Sequence, residues 1–453
     1  MSQALYVLTS FGTVLGFEPG GDTLCQLSVS AWADAAAFTL SRNALDVRGP
    51  DGTLAVFGVA LRALREPAAG TVTSLAVHWL DNGRIALEHG GRFLCAEPDG
   101  RATLSRWSVD RWESFLLLDA AQLRFITQLL GNDWLVHLSG EIVERQQITR
   151  DDDFNVSFGT QKCRVPELLE LNPQSDGDGE ALSAYIMTAD FRIERIHLFR
   201  PLIYFAACGA DGIFESLRLS LESLNRVAGW RYDVAVITDR TPEALSEYIP
   251  AAFAGRLRTL HVSGRDVLDY ALARYHVAAL PAVAGYQPLF YADIDIVFDQ
   301  PLERLMADIV RTGKLCFFAE GTLDQELDFY GLTLFNEDGG LDPHNQPAFS
   351  TGAIGIPNIA RAAAPFRALV SFAERYAGKR SRQYFSMYDQ PYANYVFRKS
   401  VDFDLTVLNR YENYRNGIDA VPEESKGFVH FAGGVGNFEP KLVRMARYLA
   451  RLS

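Results

Sequence analysis

The chain carries two aspartates inside an expected apolar strand. In PLFYADIDIVFD, Pro288 to Asp299, the residues Leu289, Phe290 and Tyr291 read as a strand entering a core, and Ile294, Ile296, Val297 and Phe298 continue it. Asp293 and Asp295 interrupt the run one residue apart. Alternate residues of a strand point the same way, so two like charges meet where desolvation sharpens their repulsion. Such a pair persists by sharing a proton, by holding a cation, or by facing water at a strand end. Carboxylate oxygens suit a hard divalent ion such as Mn²⁺ or Mg²⁺. The triplet alone does not decide, because Asp151/Asp153, Asp176/Asp178 and Asp402/Asp404 share the spacing. The first two of these lie in charged or loop-like runs that read as solvated, and the third opens a strand.

The totals bound what can surround that pair. A length of 453 residues with 48% hydrophobic content implies two or three domains with sizeable cores. A net charge of −13 argues against a general nucleic-acid binder. No apolar run approaches the ~20 residues of a membrane span. The N-terminus has neither a basic n-region nor a clear cleavage site, so no signal peptide is expected. Five scattered cysteines without a C-x-x-C pair fit reduced thiols better than a disulfide framework or structural zinc. The expected location is the cytoplasm.

The first half of the chain repeats. Tyr6 to Gly21 aligns without a gap on Ile85 to Gly100, bringing Gly12 onto Gly91, Leu15 onto Leu94, Glu18 onto Glu97 and Pro19 onto Pro98. Gly52 falls in the same slot between them, so the glycines are 40 and 39 residues apart. Each unit ends in a short apolar strand, at Phe38, near Val77 and at Phe115. Three units with short strands and Gly-rich turns indicate an all-β repeat. A threefold repeat of this length resembles a β-trefoil, and GGRFLCAEPDGRATLSRWSVDRWESFLLL resembles the repeat of fascin-type trefoils. The expected trefoil-like module covers residues 1–158, including a possible fourth unit after Gly131, and 159–197 reads as a linker around NPQSDGDGE. Trp32, Trp79, Trp107 and Trp112 are expected to fill the trefoil core, with stacking platforms for a glycan as the alternative.

The second half, 198–453, changes grammar. PLIYFAACG is a strand ending in glycine, and GIFESLRLSLESLNRV follows with Phe214, Leu217, Leu221 and Leu224 on one helical face. RYDVAVITDR is a strand, and TPEALSEYI a helix with Thr241 as N-cap and Pro242 in its first turn. GRLRTLHV and RDVLDYALARYHVAAL repeat the alternation before the two aspartates. The fold class is α/β, with a mostly parallel sheet covered on both faces. Ligands in such sheets bind beyond the carboxyl ends of the strands, where Gly209, Asp239 and Asp293–Asp295 fall.

This order resembles the Rossmann-like GT-A fold of nucleotide-sugar glycosyltransferases, and most closely the retaining family that includes glycogenin and bacterial lipopolysaccharide galactosyltransferases (glycosyltransferase family 8). The resemblance covers about residues 200–440. ARYHVAALPAVAGYQPLFYADIDIVF is similar to the family's basic-residue helix followed by its metal-binding strand. PAFSTGAIGI resembles its Asn/Ser-x-Gly segment, MYDQPYANYVF its Asp-Gln pair at a helix start, and FVHFAGGVGNFEPK its His-x-x-Gly segment.

The resemblance implies a metal-dependent glycosyltransferase that moves a sugar from a nucleoside-diphosphate donor, a UDP-sugar by preference, to a glycan or other acceptor with retention. It implies Mn²⁺ or Mg²⁺ on Asp293, Asp295 and His430. Arg274 would reach the sugar nucleotide, and Ser350, Thr351 and Gly352 would line the donor sugar. Gly433, with Gly434 and Gly436, would approach the diphosphate through backbone N–H groups, and Lys441 would contact phosphate. Ala207, Cys208 and Asp211 would lie along the nucleoside. Asp389 would orient the donor sugar or stabilise the oxocarbenium-like centre, and it could also cap its helix, with Pro391 in the first turn. Two alternatives remain open. One is a non-catalytic carbohydrate-binding or scaffolding protein with a decayed transferase domain. The other is a sugar nucleotidyltransferase, which would usually carry a Gly-rich, Arg-bearing loop after the first strand. The final EPKLVRMARYLARLS reads as a basic amphipathic helix, which could lie on an anionic membrane surface or pack on the transferase domain.

Overall fold

The computed structural model describes residues 4–18, 21–28, 35–41, 44–48, 53–64, 74–130, 135–138, 141–143, 147–150, 155–158, 161–164, 174–175, 182–187, 192–413, 422–432 and 440–452. The chain divides into two compact units, Met1–Ser175 with Leu182–Leu198, and Asp176–Ala181 with Phe199–Ser453.

Among the described residues, the first unit opens with twelve strands: β1 (Leu5–Thr9), β2 (Thr13–Phe17), β3 (Leu24–Ser28), β4 (Ala37–Ser41), β5 (Ala44–Arg48), β6 (Thr53–Phe57), β7 (Ala60–Leu64), β8 (Ser74–Trp79), β9 (Ile85–His89), β10 (Arg92–Ala96), β11 (Ala102–Arg106) and β12 (Phe115–Asp119). Strand β1 pairs with β4 and β12, and the ladder runs β4–β5–β8–β9 and back to β12, closing a six-stranded ring. The remaining six form the hairpins β2–β3, β6–β7 and β10–β11. The same four-strand succession thus occurs three times, as the 40- and 39-residue glycine spacing predicts. Gly12 and Gly91 hold left-handed conformations, φ 72° and 78°, in the first and third units, a backbone region that glycine enters without strain. Gly52 lies outside the described residues. Val7, Phe38, Leu45, Leu75, Ile85, Leu87 and Phe115 share the core, and ring closure leaves no exposed sheet edge among these six strands.

Two expectations for this half are corrected. The tryptophans do not fill the core: Trp79, Trp107 and Trp112 are 58%, 72% and 36% exposed. Trp79 ends its strand, and Trp107 and Trp112 lie in the connection between β11 and β12, which runs over the surface as connections do. Trp32 lies outside the described residues. The stretch read as a linker carries paired strands. After α1 (Ala120–Leu130) come β13 (Leu135–Leu138), β14 (Glu141–Val143), β15 (Ile148–Arg150), β16 (Asn155–Phe158), β17 (Gln161–Arg164), β18 (Gln174–Ser175), β19 (Leu182–Met187) and β20 (Ile193–Phe199). β19 and β20 pair over six residue pairs, Leu182↔Leu198 to Met187↔Ile193, inside a sheet ordered β14-β13-β20-β19-β18. Ile196 and Leu198 join one core cluster with Leu123, Phe125 and Val136. The polar composition of NPQSDGDGE concealed the alternating strands that follow it.

The second unit alternates as expected: β21 (Leu202–Ala207), α2 (Asp211–Arg226), β22 (Val234–Thr238), α3 (Pro242–Ser246), β23 (Leu257–His261), α4 (Val267–His276), β24 (Leu289–Ala292), β25 (Ile296–Phe298), α5 (Glu303–Thr312), β26 (Leu315–Thr322), α6 (Leu332–Asp338), β27 (Pro347–Ile356), α7 (Ile359–Lys379), α8 (Gln390–Ser400), β28 (Phe403–Asp404), β29 (Glu412–Asn413), β30 (Phe428–His430) and α9 (Lys441–Arg451). The main sheet runs β23-β22-β21-β24-β27-β26-β28. Four of its six pairings are parallel, and β27 is antiparallel to both neighbours. Every residue of β22 is buried, the mark of a strand covered on both faces. Leu202 and Tyr204 face a core with Leu272, Phe366 and Phe397, while Phe205, on the other face, meets Phe298 edge-on. Thr241 caps α3 as expected, accepting from the Ala244 N–H.

The C-terminal helix has its apolar stripe occupied. Met445, Tyr448 and Leu449 are buried with Leu219, Val297, Val429 and Phe431, and Tyr448 donates its hydroxyl to Asp299 at 2.8 Å. The face that membrane binding would need is spent on the core, so the membrane-surface reading is withdrawn. No described helix is long and apolar enough to cross a membrane.

Candidate functional site

The chain changes sheets at the two aspartates. Strand β24 ends at Ala292 in the main sheet, and β25 begins at Ile296 in a small sheet ordered β25-β30-β29. Asp293, Ile294 and Asp295 form the turn between them, closed by the Ile296 N–H on the Asp293 carbonyl at 3.1 Å. The strand expected to carry both carboxylates on one face is therefore broken at that place. The charges lie at a junction and not within a ladder, which removes the conflict that their sequence context posed.

Two other strands bring the remaining groups. Strand β30 pairs with β25 so that His430 faces Ile296, and the Phe431 N–H donates to the Asp295 carbonyl at 2.9 Å. Strand β27 pairs Ala353 with Ala292, and the Asp293 N–H donates to the Gly352 carbonyl at 2.8 Å. On its other edge β27 bulges. Phe317 faces Ile354 and Phe318 faces Ser350, which leaves Thr351, Gly352 and Ala353 unmatched. Bulges re-aim a strand locally, and this one delivers Gly352 beneath the imidazole of His430. A Cβ at Gly352 would meet Nδ1 at 2.9 Å and Cε1 closer still. Gly352 thus makes room for His430.

One ligand atom from each of Asp293, Asp295 and His430 can be chosen so that all lie within 4.8 Å of one another. His430 Nε2 is 3.2 Å from Asp295 Oδ1 and 3.8 Å from Asp293 Oδ2. Ligand atoms about 2.1 Å from an ion and at right angles would lie about 3 Å apart, so the spacing fits a small divalent cation. Asp295 Oδ1 is buried with no hydrogen-bond partner, as expected of an atom with another use. Burial pushes the Asp295 carboxyl up, but His430 and Lys441 outweigh it and hold it well below the usual range. Burial pushes His430 down, and Asp295 and Glu412 more than reverse it.

Around this triad the residues form one connected network. Arg274, on α4, donates from Nη1 to the Thr351 carbonyl at 2.7 Å. Its Nη2 lies 3.3 Å from Asp293 Oδ1 and its Nε 3.7 Å from Asp389 Oδ2. The guanidinium stacks 4.6 Å from the Tyr291 ring centroid, and the Tyr291 hydroxyl donates to Asp293. Gln390 Oε1 accepts from the Thr351 N–H at 3.2 Å, and Ser350 Oγ from the Gly352 N–H at 3.2 Å. Asp389 does not cap α8: its carboxylate takes no helix N–H and instead accepts from the Tyr275 hydroxyl at 2.8 Å. Burial raises its carboxyl against the pull of Arg274. The preceding Tyr388 is left-handed, φ 47°, a strained conformation of the kind found beside functional groups. Lys441 pairs its ammonium with Asp295 Oδ2 at 2.6 Å, where a phosphate contact was expected.

Ala207, Cys208 and Asp211 enter a different set of contacts. Strand β21 runs parallel to β24 with Tyr204 opposite Tyr291, so Ala207 ends toward the same edge as the aspartates. Cys208 is buried, and burial pushes its thiol up to about 12. The Gly209 N–H donates to Asp239 at 3.0 Å, and the exposed Asp211 pairs with Arg240. A cavity of about 580 Å³ opens along α4 and the segment after β23, with Val262, Gly264, Tyr270, Ala273 and His276 in its lining. Gly433, Gly434 and Gly436 lie outside the described residues. Sequence reasoning gave no role of their own to Tyr275, Tyr291, Gln390 and Glu412. The first three stood in segments that carry the family resemblance, whereas Glu412 had no spacing signal at all.

No protein-family model matches the chain, and no curated protein matches it. Among solved structures it is similar to the galactosyltransferase LgtC in complex with donor and acceptor sugar analogs, at 16% identity and a TM-score of 0.41, over 55% of this chain and 95% of that one. It is similar to the apo-form glycosyltransferase GlyE of Streptococcus pneumoniae TIGR4 at 14% identity and a TM-score of 0.37, over 55% of this chain, which spans 59% of that chain. Mouse xyloside xylosyltransferase 1 is similar at 12% identity and a TM-score of 0.36, over 53% of this chain and 99% of that one. At such scores these likenesses carry no weight for function, and the side chains must carry it.

Proposed function

We propose that residues 198–453 form a GT-A-type glycosyltransferase domain that moves a sugar from a nucleoside-diphosphate donor to a glycan or other acceptor. The observation that carries this reading is the convergence of Asp293, Asp295 and His430, ligand atoms within 4.8 Å, at the carboxyl edge of a mostly parallel sheet. These residues would hold Mn²⁺ or Mg²⁺. A bound divalent cation acts as a Lewis acid that neutralises charge on a diphosphate leaving group.

The chain's own groups do the rest. Arg274 ties Asp293, Asp389 and the Thr351 carbonyl into one unit, adding fixed positive potential where leaving-group charge grows. Lys441, whose ammonium lies 2.6 Å from Asp295 Oδ2, would exchange that carboxylate for a phosphate oxygen. Asp389, held by Tyr275 and Arg274, orients the donor sugar. Ser350, Thr351 and Gly352 border the donor sugar through the bulge of β27. The nucleoside lies along Ala207, Cys208 and Asp211. A UDP-sugar and retention of anomeric configuration are the donor and outcome that the family resemblance favours.

The six-stranded ring with three hairpins supports a β-trefoil as the architecture of residues 5–119. Its exposed Trp79, Trp107 and Trp112 favour the stacking alternative over a core role.

The test is a thermal-shift and hydrolysis screen of nucleotide sugars against the full chain with and without Mn²⁺. Mn²⁺-dependent release of nucleoside diphosphate from one donor supports the reading. No metal-dependent binding or hydrolysis with any donor would leave the non-catalytic carbohydrate-binding alternative.

A further inference from the structure

Glu412 is a buried carboxylate with no ordinary reason to be there. It is 2% exposed, and neither of its oxygens has a hydrogen-bond partner. A carboxylate left so in a core is costly, more so than a neutral polar group of the same size. Packing alone would be served by leucine. The group opposite explains it. His430 Nδ1 is likewise buried and without a hydrogen-bond partner, and lies 3.5 Å from Glu412 Oε1. Strand register makes this contact: β29 runs parallel to β30 with Glu412 opposite Phe428. Phe428 and His430 share a strand face, which points Glu412 along the side occupied by the imidazole.

The two nitrogens of His430 therefore have two different neighbours. Nε2 faces Asp295 Oδ1 at 3.2 Å and Asp293 Oδ2 at 3.8 Å, and Nδ1 faces Glu412. An imidazole that ligates through one nitrogen needs its proton on the other. A carboxylate accepting that proton's hydrogen bond fixes both the tautomer and the ring plane. Gly352 leaves the space that the ring occupies, since a Cβ there would meet it.

We propose that Glu412 is a positioning residue of the cation site, accepting the Nδ1–H of His430 so that Nε2 is presented to a divalent ion between Asp293 and Asp295. The inference rests on the cation site described above and adds a residue to it. It requires the Nδ1–Oε1 separation to shorten by a few tenths of an ångström when the ion binds.

The experiment titrates the full chain with Mn²⁺, reading free Mn²⁺ by electron paramagnetic resonance, and records the melting temperature of each metal-free variant. Glu412→Ala is expected to weaken Mn²⁺ binding about 10- to 100-fold. Glu412→Gln, whose amide oxygen still accepts from Nδ1–H, is expected to lose less. In a His430→Ala background, Glu412→Ala is expected to change affinity less than about twofold, because no ring remains to be positioned. The metal-free melting temperature is expected to hold, since an unsatisfied buried carboxylate has been removed. Unchanged Mn²⁺ affinity in both Glu412 variants overturns the inference, as does a fall in metal-free melting temperature with the affinity of the folded fraction intact. A wild-type chain that binds no Mn²⁺ brings down the cation site and the inference with it. Wild-type binding that Glu412→Ala leaves untouched brings down only the inference.

Discussion

Gly352 lies directly beneath the imidazole of His430, 78 positions later in the chain, with no room between them for a methyl group. The two residues are one device: the bulge of β27 lowers the backbone, and the ring fills the space. Gly352→Ala should displace His430 and weaken Mn²⁺ binding at least tenfold. The overpacking should destabilise the fold by about 1–3 kcal/mol. Mn²⁺ titration and urea denaturation measure the two effects separately, and unchanged affinity would mean that the ring has another way to lie.

Asp295→Asn should abolish metal-dependent transfer while the protein stays folded. The substitution removes a ligand and a charge but keeps the shape of a side chain whose backbone carbonyl already holds the Phe431 N–H. Circular dichroism and a donor hydrolysis assay at saturating Mn²⁺ check this. Near wild-type turnover would sink the metal assignment.

Lys441→Met carries an opposite sign. The ammonium sits on Asp295 Oδ2 at 2.6 Å, so a cation binding there meets a competing positive charge. Without donor, the variant should bind Mn²⁺ several-fold more tightly than wild type, while its affinity for nucleoside diphosphate falls. Weaker Mn²⁺ binding would show that Lys441 supports the site structurally.

Arg274→Lys keeps the charge and loses the fork. Arg274 reaches the Thr351 carbonyl, Asp293 and Asp389 at once, which one ammonium cannot reproduce. Turnover should drop at least tenfold. Arg274→Ala, leaving buried Asp389 without its cation, should destabilise by about 3–5 kcal/mol. Denaturant midpoints and steady-state rates separate the two, and a lysine variant with full activity would count against the network.

The stability of the second unit should weaken in acid through Asp269. This residue accepts from the Arg265 N–H and Nε, each at 2.8 Å, and from Arg382. Arg265 holds its carboxyl well below the usual range, against the opposing effect of burial. A carboxyl depressed in the folded state contributes stability that is fully present above its unfolded value of about 3.9 and is lost as pH falls below it. Urea midpoints from about pH 7 down to about pH 3 should fall more steeply for wild type than for Asp269→Asn. Parallel curves would refute the assignment.

The sequence by itself determined the grammar of both halves. Glycines 40 and 39 residues apart marked three units, and apolar alternation marked the strands that end them. The switch from strand period to helix period at residue 201 marked the α/β half, down to the Thr241 cap. Asp293, Asp295 and His430 were legible together because their residue types and order carried a resemblance, and the structure brings their ligand atoms within 4.8 Å. These features are local: side-chain alternation, turn conformations and caps are set by neighbours within a few residues.

Tertiary structure alone decided the rest. It broke the expected strand at the aspartates, because β25 finds its partner in β30 and not in the main sheet. It turned Asp389 from a helix cap into a partner of Tyr275, 114 residues away, and set Lys441 on Asp295 across 146 residues. It exposed tryptophans that composition assigned to a core. It brought Glu412, a lone glutamate in RYENY with no spacing to mark it, against His430. Contacts of that range depend on which strands pair and in what register. One residue of slip would turn each side chain to the opposite face, and no local pattern in the sequence encodes that choice.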